Sequence, residues 1–127
     1  MGVMLADRHG VLAPRIPRGI ECRGMARIVL KYGGTSVGTT GRIRAVAEQV
    51  AALRAAGHEL AVVVSAMGHA TDHLVDLMAE VSDRPPPREV DMLLASGEQV
   101  SIALVATALE RLGVRARSFI GFQAGIV

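Results

Sequence analysis

From Ala26 onward the apolar residues switch repeatedly between two spacings, and this alternation limits the fold more than any other feature of the chain. "ARIVLKY" (26–32) is short, rich in β-branched residues and closed by glycine, as a buried strand is. Ile43, Val46, Ala47, Val50 and Leu53 then recur at helical spacing. Thr39 or Thr40 can cap that helix, and Gly57 is a natural stop. "ELAVVVSA" (59–66) predicts a second buried strand. Leu74, Val75, Leu77, Met78 and Val81 form the stripe of a second helix, with Thr71 as its N-cap and Asp72 in its first turn. Three prolines make "DRPPPRE" (83–89) an exposed extended link. Helical spacing returns from Val90 to Leu112, with a break or kink at Ser96-Gly97, and Gly113 ends it. "VRARSFI" (114–120) alternates apolar and polar, as a half-covered strand does.

Strand, helix, strand, helix, helix, strand predicts an α/β fold: a mainly parallel sheet with helices on its faces, joined by right-handed crossovers. Ligands of such sheets lie beyond the carboxyl ends of the strands. The loops there are 32–39, 65–71 and 120–125, and they concentrate glycine and hydroxyl residues.

Composition narrows the classes. The chain has 127 residues, enough for one small domain, and its only aromatics are Tyr32, Phe119 and Phe122, so its core must be aliphatic. The net charge is +2. Arg8, Arg15, Arg18 and Arg23 face only Asp7 and Glu21 in residues 1–24, and charge is balanced beyond them, so the body has no basic face of the kind nucleic acid requires. A single cysteine, Cys22, makes neither an intrachain disulfide nor a zinc cage, which suits the cytoplasm. No apolar run reads as long enough to span a membrane. Residues 1–24 lack both a sustained period and the apolar stretch of a signal peptide. They are expected to be a disordered N-terminal extension, or to precede a natural start at Met25; Asp7 and Glu21 argue against a transit peptide. The chain stops at "GIV" soon after its third predicted strand, so 25–127 reads as a domain cut short, with bare sheet edges that favour association.

Three stretches carry chemistry. In "KYGGTSVGTTGR" (31–42), Gly33 and Gly34 let backbone N–H groups approach an anion, a helix begins just beyond, and Lys31, the only lysine, stands at the strand's end. The loop matches neither a Walker A loop nor G-x-G-x-x-G, and a plain strand-to-helix turn with a surface lysine fits it as well. "VVVSAMGHATD" (62–72) places Ser65 at a strand end and Thr71 at a helix start, suited to a second anion or a substrate carboxylate, or to ordinary capping. In "LLASGEQVS" (93–101), Glu98 lies among apolar residues and needs a cation unless it is solvated; a ligand's ammonium group would serve. His69 and His73 lack the intervening glutamate of a metalloprotease helix, so no metal site is expected there.

Taken together and in this order, "KYGGTSVG", "VVVSAMGHATD", "MLLASGEQVS" and "FIGFQAGI" resemble the N-terminal part of the catalytic domain of aspartate kinases, in the amino acid kinase family, over residues 27–127. The resemblance implies a three-layer α/β/α sandwich of which only the N-terminal half is present. It implies phosphorylation of the side-chain carboxylate of L-aspartate by ATP, with Mg²⁺ held through the ATP phosphates, toward lysine, threonine and methionine. Position by position, it makes Lys31 the catalytic residue that stabilises the transferring phosphoryl group. It places Lys31, Tyr32, Gly33, Gly34 and Ser65 against the ATP phosphates, and Thr35, Ser65, Thr71 and Glu98 against the amino acid, with Glu98 on its ammonium group. Ala70 and Ile120 stand where threonines are usual. A glutamate 5-kinase or acetylglutamate kinase type and a non-catalytic remnant are the alternatives. The full-length enzyme is expected to be a homo-oligomer or heteromer, and this stretch alone to be inactive.

Overall fold

The structure, a computed structural model, describes residues 2–6 and 24–125. Among these residues, four strands and three α-helices follow in the order β1 (Gly2–Ala6), β2 (Arg27–Tyr32), α1 (Thr40–Ala55), β3 (Glu59–Val64), α2 (Ala70–Val81), α3 (Pro87–Arg111) and β4 (Ala116–Ile120). β2 and β3 pair in parallel, Arg27 opposite Glu59 through Tyr32 opposite Val64. That register puts Ile28, Leu30 and Tyr32 beside Leu60, Val62 and Val64 on one face, where α1 and α3 cover them. The core is aliphatic, as composition requires: Val37, Val50, Val62, Val105 and Leu109 are wholly buried.

The helices covering the sheet lie on that one face. Val29 is 72% exposed on the other, beside Ala61 in the register, so the fold is a sheet with one helical layer; the second helical layer of a three-layer sandwich is not among the described residues. α2 packs on α3 and buries none of its residues.

The structure departs from the sequence reading at five points. Residues 2–6, expected to be irregular, form β1, which lies between β3 and β4 and runs antiparallel to both. The rest of the expected extension, residues 7–23 with Cys22, falls outside the described residues. α2 begins at Ala70 with His69 at its N-cap, so Thr71 belongs to the first turn and caps nothing. α3 begins inside the proline link: Pro87 stands in its first turn, where no amide partner is lost. It also runs unbroken through Ser96-Gly97, because Gly97 is buried where the helix passes Ala66 closely. Finally, α3 is long and apolar enough by length and composition to cross a membrane, contrary to the sequence reading; here Gly97, Ser101, Ile102, Val105 and Leu109 bury its inner face against the rest of the fold.

Candidate active site

The first two strand-end loops are zipped together. The Ser65 amide donates to the Tyr32 carbonyl (3.1 Å), which extends the β2–β3 ladder past its last pair, and the Gly68 amide donates to the Gly34 carbonyl (3.1 Å). Gly34 must be glycine for this: a Cβ there would lie 2.9 Å from the Ala66 carbonyl oxygen. Gly68 itself has φ +44°, a left-handed backbone that favours glycine, and lies in ordinary contact with Gly38. Between these contacts the chain makes a single 3-10 turn, Gly34–Val37, closed by the Ser36 amide on the Gly33 carbonyl (2.9 Å) and anchored by the buried Val37. Thr39 caps α1 by accepting from the Arg42 amide (3.2 Å), and the Arg42 guanidinium donates to the Thr35 carbonyl.

Lys31, the last residue but one of β2, lies on its exposed side, and its Nζ would lie 3.5 Å from a Cβ at Gly33, so the ammonium group hangs over the first glycine. It has no hydrogen-bond or ion-pair partner among the described residues. Ser65, half-buried, leaves β3 directly opposite the glycines. Ala66 then meets α3: a Cβ on Gly97 would stand 3.0 Å from the Ala66 Cβ. This contact brings Glu98, the next residue, to the same end of the sheet. Glu98 is half-buried and likewise without a partner among the described residues. Thr71 is half-buried in the first turn of α2. α1 and α2 both begin here, each with unpaired amides and the positive end of its dipole.

Two predicted residues are placed differently from their neighbours. The Tyr32 ring packs against the core and its hydroxyl donates to Gln49 Oε1 (3.3 Å), so only the backbone of Tyr32 belongs to the loops. Burial raises its phenol pKa above the usual 10.0. Thr35 is exposed, with its carbonyl engaged by Arg42. The third loop, 120–125, holds its own turn through the Ile120 amide on Gln123 Oε1 (3.1 Å), and no hydrogen bond among the described residues joins it to the other two. The sequence reading missed Arg42 and took Gly97 for a break in the helix, not a packing contact. Gly97 was visible as a small residue inside a helical stripe, whereas nothing in the local pattern marks Arg42 as a clamp on the loop before it. A groove of about 450 Å³ between α1 and α3 contains none of the candidate residues.

His69 Nδ1 lies 2.8 Å from Asp72 Oδ2 on the surface of α2, and no group of three or more potential metal-ligating side chains occurs among the described residues.

An α/β sheet whose parallel strands end in a paired glycine loop and serine loop defines the class. The sequence profile of the amino acid kinase family matches residues 26–126, and the chain belongs to that family. Within it, the chain is 57% identical over 103 residues to an aspartokinase of Mycolicibacterium smegmatis, covering 81% of this chain and 24% of that one. It is 54% identical over 102 residues to an aspartokinase of Thermus thermophilus, covering 80% of this chain and 25% of that one. A crystal structure of aspartate kinase from Synechocystis superposes with a TM-score of 0.64 at 53% identity, covering 69% of this chain and 15% of that one. The chain therefore spans about a quarter of the length of the aspartokinases it matches.

Proposed function

We propose that this chain carries the phosphoryl-transfer end of an aspartate kinase. An oxygen of the aspartate side-chain carboxylate attacks the γ-phosphorus of ATP, the bond from that phosphorus to the β–γ bridging oxygen breaks, and 4-phospho-L-aspartate and ADP leave. The attacking carboxylate is already ionised, so no general base is needed; the task is to bring two anions together and offset their charge. The observation that carries this reading is a pair of unpartnered opposite charges next to two hydrogen-bonded glycine-bearing loops: Lys31 over Gly33, and Glu98 adjoining the Gly97 that packs on Ala66. A lone ammonium over bare backbone amides suits a phosphate; a half-buried lone carboxylate suits the substrate's ammonium group.

In this reading the Gly33, Gly34 and Ser65 backbone receives the phosphates, Lys31 follows the γ-phosphoryl group as charge builds on it, and Thr35, Ser65 and Thr71 hold the amino acid with Glu98. Mg²⁺ would travel on the ATP phosphates and offset their charge, a role for which the described residues need supply no carboxylate cage. A cytoplasmic setting fits the single thiol.

The test is an ADP-release assay on the full-length polypeptide carrying residues 26–126, with L-aspartate, L-glutamate and N-acetylglutamate offered in turn. L-Aspartate is expected to be the only good acceptor; preference for either of the others would assign the chain to a different amino acid kinase. In the same polypeptide Lys31→Ala should lower kcat about 10²–10³-fold with a smaller change in KM for ATP. Near-normal turnover would refute the role given to Lys31.

A further inference from the structure

We propose that Arg42 is a positioning residue for phosphoryl transfer: it holds the turn Gly34–Val37 through the Thr35 carbonyl and so sets where the glycines stand beneath Lys31. The role rests on the phosphoryl-transfer reading of these loops. Both ends of the contact lie within the stretch that matches the family, residues 26–126.

An arginine is out of place at the start of α1 by the rules of helix ends. Arg42 sits in the first turn, beside the positive end of the helix dipole, and no acidic residue shares that turn. A cation there opposes the dipole and gains nothing from its own helix. Its contacts are with the loop instead. The Arg42 amide donates to the Thr39 hydroxyl (3.2 Å), and its guanidinium reaches back seven residues to donate to the Thr35 carbonyl. That carbonyl is where the turn is weakest. The Ser36 amide closes on the Gly33 carbonyl at 2.9 Å, whereas the Gly38 amide reaches the Thr35 carbonyl only at 3.5 Å. Arg42 adds a charge-assisted bond where the backbone's own bond is long.

The helix end of this clamp is fixed in the core, since Ile43, Val46 and Ala47 are buried. The loop end has one buried side chain, Val37. Gly33, whose carbonyl the turn closes on, lies under the Lys31 ammonium group, and Gly34 is bonded to Gly68 in the second loop. Without the guanidinium the turn can rock about Val37 and shift both glycines against Lys31 and Ser65. The expected defect is misplacement of reacting groups, to which turnover is steeply sensitive.

The experiment measures ADP release by the full-length polypeptide carrying these residues, as wild type, Arg42→Ala, Lys31→Ala and the double variant. Arg42→Ala should lower kcat about tenfold or more, with a smaller change in KM for ATP. Free guanidinium, kept well below denaturing concentrations, should restore part of that kcat more effectively than sodium chloride. In the Lys31→Ala background Arg42→Ala should cost much less than it does alone, because the group it positions is already gone. Amide exchange at Ser36 and Gly68 should quicken about tenfold in Arg42→Ala while the core amides of α1 and β3 keep their protection. That pattern separates a loosened loop from a chain that fails to fold. Near-normal kcat in Arg42→Ala would overturn the role, as would additive losses in the double variant, equal rescue by the two salts or unchanged exchange at Ser36; each leaves the phosphoryl-transfer reading standing. A wild-type polypeptide that phosphorylates no acceptor would overturn that reading and the role together.

Discussion

A methyl group at position 34 would stand 2.9 Å from the Ala66 carbonyl oxygen, closer than such contacts are found. Backbone occupies both sides of that gap, so relief requires parting the two loops and stretching the Gly68–Gly34 hydrogen bond. Gly34→Ala is expected to cost about 1–3 kcal/mol in denaturant unfolding and to weaken phosphate binding with it. Tyr32 supports a prediction about pH. Its phenol is raised above 10.0 by burial, so between the unfolded and folded values the native state holds more protons than the unfolded state. That contribution to stability is complete below pH 10 and is lost as pH rises through the folded value. Tyr32→Phe should therefore flatten the fall in stability above pH 10, measured by denaturant titration at successive pH values. The sequence marked Lys31, Gly33, Gly34, Ser65 and Glu98 because each breaks a local rule: a lone cation, paired glycines, a hydroxyl at a strand end, an acid in an apolar stripe. Tyr32 obeys the strand's alternation, and the register, not the motif, decides that its ring faces the core.

Among the elements, α3 has the largest mechanical part. Leu109 and Val105 are wholly buried between the sheet and α1, and Gly97 lets the same helix pass Ala66. Leu109→Ala should cost about 2–5 kcal/mol, read from the shift in unfolding midpoint at constant slope. Thr39→Ala, which removes the hydroxyl that caps α1, should cost about 1 kcal/mol and loosen the loop before it. α1, β2 and β3 were legible because their apolar spacing is unambiguous and their ends carry Thr39, Gly57 and the glycine pair. The start of α3 was hidden by Pro85, Pro86 and Pro87, since a proline run argues for a link until its last member falls in a first turn. β1 was hidden for a different reason. "GVMLA" holds one β-branched residue and no alternation, so nothing in its local pattern marks a strand.

At the scale of the whole molecule, one helical layer covers one face of a four-stranded sheet, and the strand ends gather two loops, the starts of two helices and two unpartnered charges at one edge. The exposed Val29 and its bare face follow from the same architecture: residues that alternate in a half-covered strand must face somewhere, and here no second helical layer is described over them. The chain spans a quarter of the aspartokinases it resembles, so phosphate capture is the part of the proposed activity that its own residues can be asked to perform. Backbone amide spectra recorded while inorganic triphosphate is titrated into the chain test this directly, because triphosphate needs no adenine pocket. The account predicts the largest shifts at Gly33, Gly34 and Ser65 to Gly68, and their loss in Lys31→Met. Shifts centred elsewhere, or shifts that Lys31→Met leaves untouched, would contradict it.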